Sequence, residues 1–243
     1  MADQQTDESV GAILDVLESK GNQLHGFSAD VTYVKEDDLL GRREIRRGNV
    51  LYTTSQGNRQ FAILFDTVII NRRKESQLRH YVFDGQWLAE VDHANKQFIK
   101  QQVVPPGQSL DPLRIGQGPI PLPIGQQRAD VERRFTVEEI QRPSDGPLAT
   151  LTENPPLTGL RLTPKPNTEE AKEFRYVDLF YDLSTGLPHG IYLVATNGDS
   201  KTVLLTNLKA NPEFDQQQQS RMKIDTPDPS EWTIDIRPWK GSS

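Results

Sequence analysis

The chain has no cysteine, so it forms no disulfide and offers no thiolate as a nucleophile or metal ligand. That absence is compatible with an oxidising extracytoplasmic compartment without establishing one. Long apolar runs are also missing. Phe61 to Phe65 and Val68 to Ile70 are the longest, far short of the roughly 20 residues that a bilayer-spanning helix needs. Histidine is scarce, at four residues, and dispersed. His25 lies at a helix-to-strand junction, His80 and His189 lie near strand boundaries, and His93 lies in a turn, so no metal box is expected. The chain contains no phosphate-binding glycine loop, helical zinc motif, serine elbow or clustered Asp and Asn calcium loop. Its first ten residues, MADQQTDESV, lack the basic-then-apolar pattern of a secretory leader, as a mature N-terminus does.

An excess of positive charge is absent too. Lys plus Arg number 28 against 34 Asp plus Glu, a net charge of −6, and no general nucleic-acid binding is expected. Arg42, Arg43, Arg46 and Arg47 form a local basic cluster, followed later by Arg72, Arg73 and Lys74. In a strand, Arg42 and Arg46 share one face while Arg43 and Arg47 share the other, so the four make no single stripe. Phe61 near Arg59 and Tyr81 near Arg79 are ingredients of a single-strand nucleic-acid platform. They alternate with other apolar side chains and read instead as core.

What the sequence does have is strand after strand. Between Arg42 and Val91, REIRRGNVLYTTS, RQFAILFDTVII and HYVFDGQWLAEV are rich in Val, Ile, Leu, Phe and Tyr and are punctuated by Gly, Asn and Asp. This is the pattern of an antiparallel meander. Asp84 and Gly85 mark a hairpin, which accounts for Asp84 without a catalytic role. Asp178 and Asp182 make a poor acid and base pair, because alternation within a strand does not set a substrate-sized separation. With no catalytic constellation, no enzyme is expected.

Ahead of the meander, Val10, Ile13, Leu14 and Leu17 recur at helical spacing from Glu8 to Lys20, with Thr6 or Asp7 as cap and Gly21 as stop. Phe27, Ala29, Val31 and Tyr33 alternate as a half-buried strand. Asn71 to Arg79 is polar and reads as a loop. Roughly seven strands with short links precede residue 105, which argues for sequential antiparallel neighbours.

Composition then changes: Pro105 to Gly125 holds six prolines and four glycines among Leu110, Leu113, Ile115, Ile120, Leu122 and Ile124. Proline excludes a central strand and interrupts helix, while the aliphatic content suits a lid over an apolar interior better than a linker. A short helix over Ala129 to Arg134 leads into a second meander: Phe135 to Ile140, Leu157 to Thr163, Val177 to Leu183, Ile191 to Thr196, and a hairpin at Asn197 and Gly198 into Lys201 to Leu208. Gln216 to Gln219 reads as an exposed connection or short helix. Met222 to Asp225 and Trp232 to Ile236 read as terminal strands separated by a detour at Pro227 and Pro229. One domain is expected over residues 8–238, with flexible ends at 1–7 and 239–243.

Four segments together resemble the bacterial outer-membrane lipoprotein carrier and lipoprotein-sorting superfamily, as a divergent member: QLHGFSADVTY after the first helix, RRGNVLY, VFDGQWLAEVDHANKQF, and TPDPSEWTIDI before the last strand. The resemblance spans most of residues 8–238. It implies a mainly β fold with helices: one strongly curved antiparallel sheet of about eleven strands forming an incomplete β-barrel, covered by the N-terminal helix and the proline-rich lid. By motif position Arg47 matches the family's basic residue that holds the lid closed, although Gly48 stands where the pattern commonly has proline and Arg46 shifts the register by one.

The implied function is extracytoplasmic binding or transfer of lipidated protein or another apolar ligand in a concave cavity, in the periplasm or another envelope compartment. Removing an acyl chain from water contributes roughly 0.8 kcal/mol per methylene. Phe61, Ile63 and Phe65 on one strand, with Tyr81 and Phe83 on another, are the candidate ligand-binding residues. Arg47, Leu113, Ile120 and Leu122 are the candidate gating residues. No cofactor or metal is required. The implied partners are lipoprotein acyl chains or another lipid, an envelope acceptor protein, and a membrane touched transiently by a monomer. The alternative is a non-catalytic envelope structural or protein-interaction module whose core is filled by its own side chains.

Overall fold

The computed structural model describes residues 2–55, 58–105, 123–152 and 154–239. The expected segments Gln56 to Gly57 and most of Pro105 to Gly125, with Leu113, Ile120 and Leu122, lie outside these described residues.

The elements in order are α1 (Ala2–Asn22), β1 (Gly26–Asp37), β2 (Arg42–Ser55), β3 (Asn58–Ile70), β4 (Arg73–Phe83), β5 (Trp87–Asp92), β6 (Gln97–Gln102), α2 (Arg128–Arg134), β7 (Phe135–Ile140), β8 (Thr158–Pro164), α3 (Glu170–Glu173), β9 (Phe174–Asp182), β10 (Leu187–Ala195), β11 (Ser200–Ala210), α4 (Gln216–Arg221) and β12 (Thr233–Arg237). The twelve strands form one open sheet, not closed into a barrel, in the order β12-β6-β5-β4-β3-β2-β1-β11-β10-β9-β8-β7. The mainly β, single-sheet expectation is therefore met. One strand departs from it, since β12 pairs parallel with β6, from Thr233 opposite Gln97 to Arg237 opposite Gln101.

The described residues group into two compact units. The first lies within Met1–Leu24, Thr32–Ile45 and Leu113–Thr206, and the second within His25–Val31, Arg46–Pro112 and Asn207–Ser243.

In the first unit, β8, β9 and β10 are in register through Leu160 opposite Leu179 and Leu179 opposite Ile191. Alternation sends these three side chains to one face and Gly159, Phe180 and Gly190 to the other. The second face is covered by a 3-10 turn at Pro147–Thr150, whose Leu148 packs with Leu151 and Phe180. A Cβ at Gly190 would meet Leu151 Cδ1 at 2.8 Å, so that side-chain tip would have to turn aside. Asp178 takes a two-point ion pair from Arg161, at 2.7 and 2.8 Å, and Asp182 accepts from Ser184 N and Oγ in the following turn. Both carboxylates are thus committed to structure.

α1 runs through Thr6 and Asp7 rather than starting there. It buries Val10, Leu14 and Leu17, three of the four periodic positions read from the sequence, and leaves Ile13 half-buried. Gly21 does not stop it. The residue serves close approach instead, because a Cβ there would sit 2.1 Å from Gly125 Cα. Arg134, 2% exposed, is held at the end of α2 by Asp130 and Glu170, each at 2.9 Å.

In the second unit, the polar Asn71 to Arg79 segment is not a loop. Only Asn71 and Arg72 turn, both with left-handed φ (51° and 65°), a two-residue hairpin connection that matches strand twist. The strand then restarts at Arg73 opposite Ile70. Asp84 makes the next turn as expected, accepting from Gln86 N at 3.0 Å and Trp87 N at 2.8 Å, with Gly85 at φ 108°. The glutamine run forms α4, capped reciprocally by Asp215 and Gln218. Met222 to Asp225 is not a strand. Met222 instead packs with Leu51 and Ala62, with Phe214 beside them, and the chain crosses Pro227 and Pro229 as irregular backbone before β12.

Candidate functional site

The site follows from strand parity. β4 and β5 pair Val82 with Ala89 and His80 with Val91, and β5 and β6 pair Val91 with Phe98. Side chains opposite one another in a ladder share a face, so His80, Val82, Ala89, Val91 and Phe98 form one surface. These residues make one wall of a cleft of about 370 Å³. The facing wall is the irregular segment after α4, with Arg221, Ile224 and Pro227, together with Trp232. That volume falls in the range of small-molecule sites, roughly 300–1,000 Å³.

Most of the strand wall is apolar. Val82, Ala89 and Phe98 are at most 2% exposed. At its edge, His93 meets Trp232 edge-on, with ring centroids 5.4 Å apart and planes at 88°. His80 hydrogen-bonds the Arg221 backbone, and its pKa falls from 6.5 to about 4. The largest cause is burial, and the nearby His93 and Arg221 charges add to it. Its Nε2 is buried and has no hydrogen-bond partner among the described residues. Neither ring hydrogen-bonds a carboxylate among the described residues. His189 belongs to the first unit, and no group of three His, Cys, Asp or Glu able to hold a metal occurs among the described residues.

The opposite face of the same strands carries the expected ligand-binding residues. Phe61 stands opposite Phe83, and Ile63 opposite Tyr81. The Phe61 and Phe83 rings stack at 5.6 Å, and Phe65 meets Tyr81 edge-on at 6.3 Å. Parity thus brings all five together, away from the cleft. Phe61, Ile63, Phe65 and Phe83 are each at most 2% exposed.

Beside them lies a polar group. Arg79 pairs with Asp92 and, at 3.2 Å, with Glu90, which also accepts from the Tyr81 hydroxyl. Burial alone would raise the Asp92 pKa, but hydrogen bonds from Asn95 and Arg79 outweigh it and leave the carboxyl below its ordinary value. Of the two candidate gating arginines that the motif left one residue apart, Arg47 is exposed. Arg46 is 9% exposed and donates to Gln77 Oε1 at 3.2 Å.

In the first unit the apolar face of α1 leaves little space. Leu14 and Leu17, with Val131, Leu160, Leu162, Leu179 and Tyr181, line a cavity of about 30 Å³. This is room for a water molecule and no more than a fragment of an acyl chain. Tyr181 closes its end by donating to Pro123 O at 2.7 Å, and burial pushes that phenol's pKa upward.

The sequence pointed to the cleft only indirectly. His80 and His93 were legible as isolated histidines near strand ends, and Val82, Ala89 and Phe98 as half of an alternating pattern. The Arg221 to Pro227 wall was masked by a misleading signal, since the alternation of Met222 and Ile224 with polar neighbours reads as a strand and the chain there is irregular.

No protein-family model matches the chain, and no curated protein matches it. Among solved structures, it is similar to an uncharacterized conserved protein from Thermus thermophilus, at 11% identity and TM-score 0.47, covering 94% of this chain and 99% of that one. It is similar to MucB in the MucA/MucB complex of Pseudomonas aeruginosa, at 16% identity and TM-score 0.47, over 90% of this chain; it spans 64% of that protein. A putative outer membrane lipoprotein-sorting protein domain from Vibrio parahaemolyticus is similar at 9% identity and TM-score 0.37, over 86% of this chain and 98% of that one.

Proposed function

We propose that the protein is a non-catalytic, extracytoplasmic binding protein that shelters the apolar part of a lipidated or lipid ligand, and that the second unit's cleft is where it does so. The observation that carries this reading is a cleft of about 370 Å³ whose strand wall is Val82, Ala89, Val91 and Phe98. Each methylene transferred from water to such a wall contributes roughly 0.8 kcal/mol, so micromolar retention, about 8 kcal/mol, takes at least about ten methylenes. Phe61, Ile63, Phe65, Tyr81 and Phe83, on the opposite face, are proposed as core rather than lining. Arg46, the inward member of the arginine pair, takes the gating place proposed for Arg47. The exposed tip from Ile70 through Lys74, with three cations that have no ion pair among the described residues, is proposed to make the transient contact with an anionic membrane surface.

Native mass spectrometry after incubation with an acylated peptide and its non-acylated counterpart tests the reading. Retention of the acylated peptide alone, and its loss when Val91→Trp fills the cleft, is the expected result. Equal behaviour of the two peptides with folded protein would remove the carrier reading.

A second reading is favoured by a different observation. The cavity that the described residues leave under α1 is only about 30 Å³, a fit to a core filled by its own side chains. In that case a partner protein, rather than a lipid, is the ligand of the first unit.

A further inference from the structure

The cleft is not neutral at its mouth, and the imbalance specifies the ligand. Arg221 and Lys223 line it and have no ion pair among the described residues, while Asp225 is its only lining carboxylate. His80 and His93 line it as well. Lys100 sits at the edge of the strand wall, over the Trp87 ring at 4.9 Å. Arg221, Lys223, His80 and His93 thus converge on an apolar wall with one acid among them. Of these groups, His93 and Arg221 add to burial in holding His80 neutral.

We infer that the cleft takes a single-chain amphiphile with an anionic head, the head seated against Arg221, His80 and His93 and the chain along Val82, Val91 and Phe98. This rests on the cleft being the apolar-ligand site. A carboxylate or phosphate oxygen beside Arg221 gains a charge-assisted hydrogen bond and cancels the repulsion that helps keep His80 unprotonated. The buried His80 Nε2, an acceptor with nothing to accept from, then takes up a proton and becomes a donor to the same head. Binding is accordingly coupled to proton uptake. A neutral head, such as an alcohol or ester, collects the apolar contribution alone.

The test compares tetradecanoate, tetradecanol and methyl tetradecanoate by isothermal titration at neutral pH, below the aggregation threshold of each, in two buffers of different ionisation enthalpy. The expected result is about tenfold tighter binding of the carboxylate than of the neutral pair, a factor corresponding to about 1.4 kcal/mol, with proton uptake on binding of the carboxylate only. Arg221→Gln, which keeps the backbone contact to His80, removes that preference, bringing carboxylate binding down to the level of tetradecanol. Val91→Trp abolishes binding of all three. Equal affinities for all three in the unaltered protein overturn the inference while leaving the apolar cleft intact. Binding of none of them overturns the cleft reading itself. Carboxylate binding that survives Val91→Trp places the head elsewhere and overturns the inference too.

Discussion

Acidification should weaken the second unit before any carboxylate titrates, and His80 is the reason. Burial, with His93 and Arg221 adding to it, holds this ring near pKa 4 instead of 6.5. The unfolded chain therefore takes up its proton first as pH falls. The stabilisation is complete above pH 6.5, declines between 6.5 and 4, and is exhausted below that. The difference corresponds to about 3 kcal/mol, or roughly 2 once the partial exposure of the ring is allowed for. Urea unfolding followed by tryptophan fluorescence is the suitable assay, because Trp87, Trp232 and Trp239 all belong to the second unit. His189, in the first unit, is also held low by burial and loses stability in the same direction, so the comparison must be made against His80→Phe. Asp92, Asp182 and Asp228, all held below 3.8, contribute only as pH falls toward and below that value. The unaltered protein should lose roughly 2 kcal/mol between neutral pH and pH about 4.5, and His80→Phe should lose little of it. If the variant shows the full loss, the imbalance at the cleft is not what burial of His80 implies and the reasoning fails.

Three further perturbations follow from the packing. Arg134→Leu removes a guanidinium, 2% exposed, that pairs with Glu170 and shares Asp130 with Arg133, and should cost about 3 kcal/mol in urea unfolding followed by far-ultraviolet circular dichroism. A loss below about 1 kcal/mol would mean that the two carboxylates are solvated. Gly48→Ala places a Cβ 1.8 Å from Leu64 O. Because the obstacle is backbone, the pairing of β2 with β3 must shift, and a loss of about 2 kcal/mol or more is expected in tryptophan-monitored unfolding. Replacing Arg72, Arg73 and Lys74 together by Gln leaves a fully exposed turn folded and should lower co-sedimentation with anionic vesicles roughly 100-fold, at about 1 kcal/mol per cation; unchanged partitioning would discard the hairpin tip as a membrane contact.

Most of the strand sequence was legible because most strands bury one face. The Asp84 and Gly85 turn and the Asn197 and Gly198 turn were readable from residues that tolerate left-handed backbone, and Gly85 and Gly198 do adopt it, at φ 108° and 97°. Arg73 to Leu78 was misread for the opposite reason. Nearly every side chain there is exposed, so the ribbon has no apolar alternation to announce it, and its order comes from pairing with Val68 to Ile70. Met222 to Asp225 was misread as a strand because Met222 and Ile224 alternate with polar neighbours. Met222 is buried by packing on Leu51 and Ala62 rather than by a ladder. The candidate site was the least legible part. Its apolar wall was visible as half of an alternation, but nothing in the alternation said which half would be left beside open space.

That choice is made by the strands and the cover together. β4 carries Arg79, Tyr81 and Phe83 to one face and His80 and Val82 to the other, and a one-residue slip would exchange the two sets. The register is pinned within the second unit by the left-handed pair Asn71 and Arg72, by the irregularity between Phe65 and Thr67, and by the bare backbone at Gly48. With the register fixed, Phe61, Phe65, Tyr81 and Phe83 share one face, and Val82, Ala89 and Val91, with Phe98, share the other. Small side chains leave the facing segment farther from the sheet. Pro227 and Pro229 keep that segment from closing the gap as a ladder, because proline has no N–H to donate. A cleft on the small-residue face, with Arg221 and Lys223 at its rim, is therefore a consequence of where the large and small residues fall along β4 to β6. Shortening the detour between Met222 and Trp232 should close it without altering a single residue of the sheet.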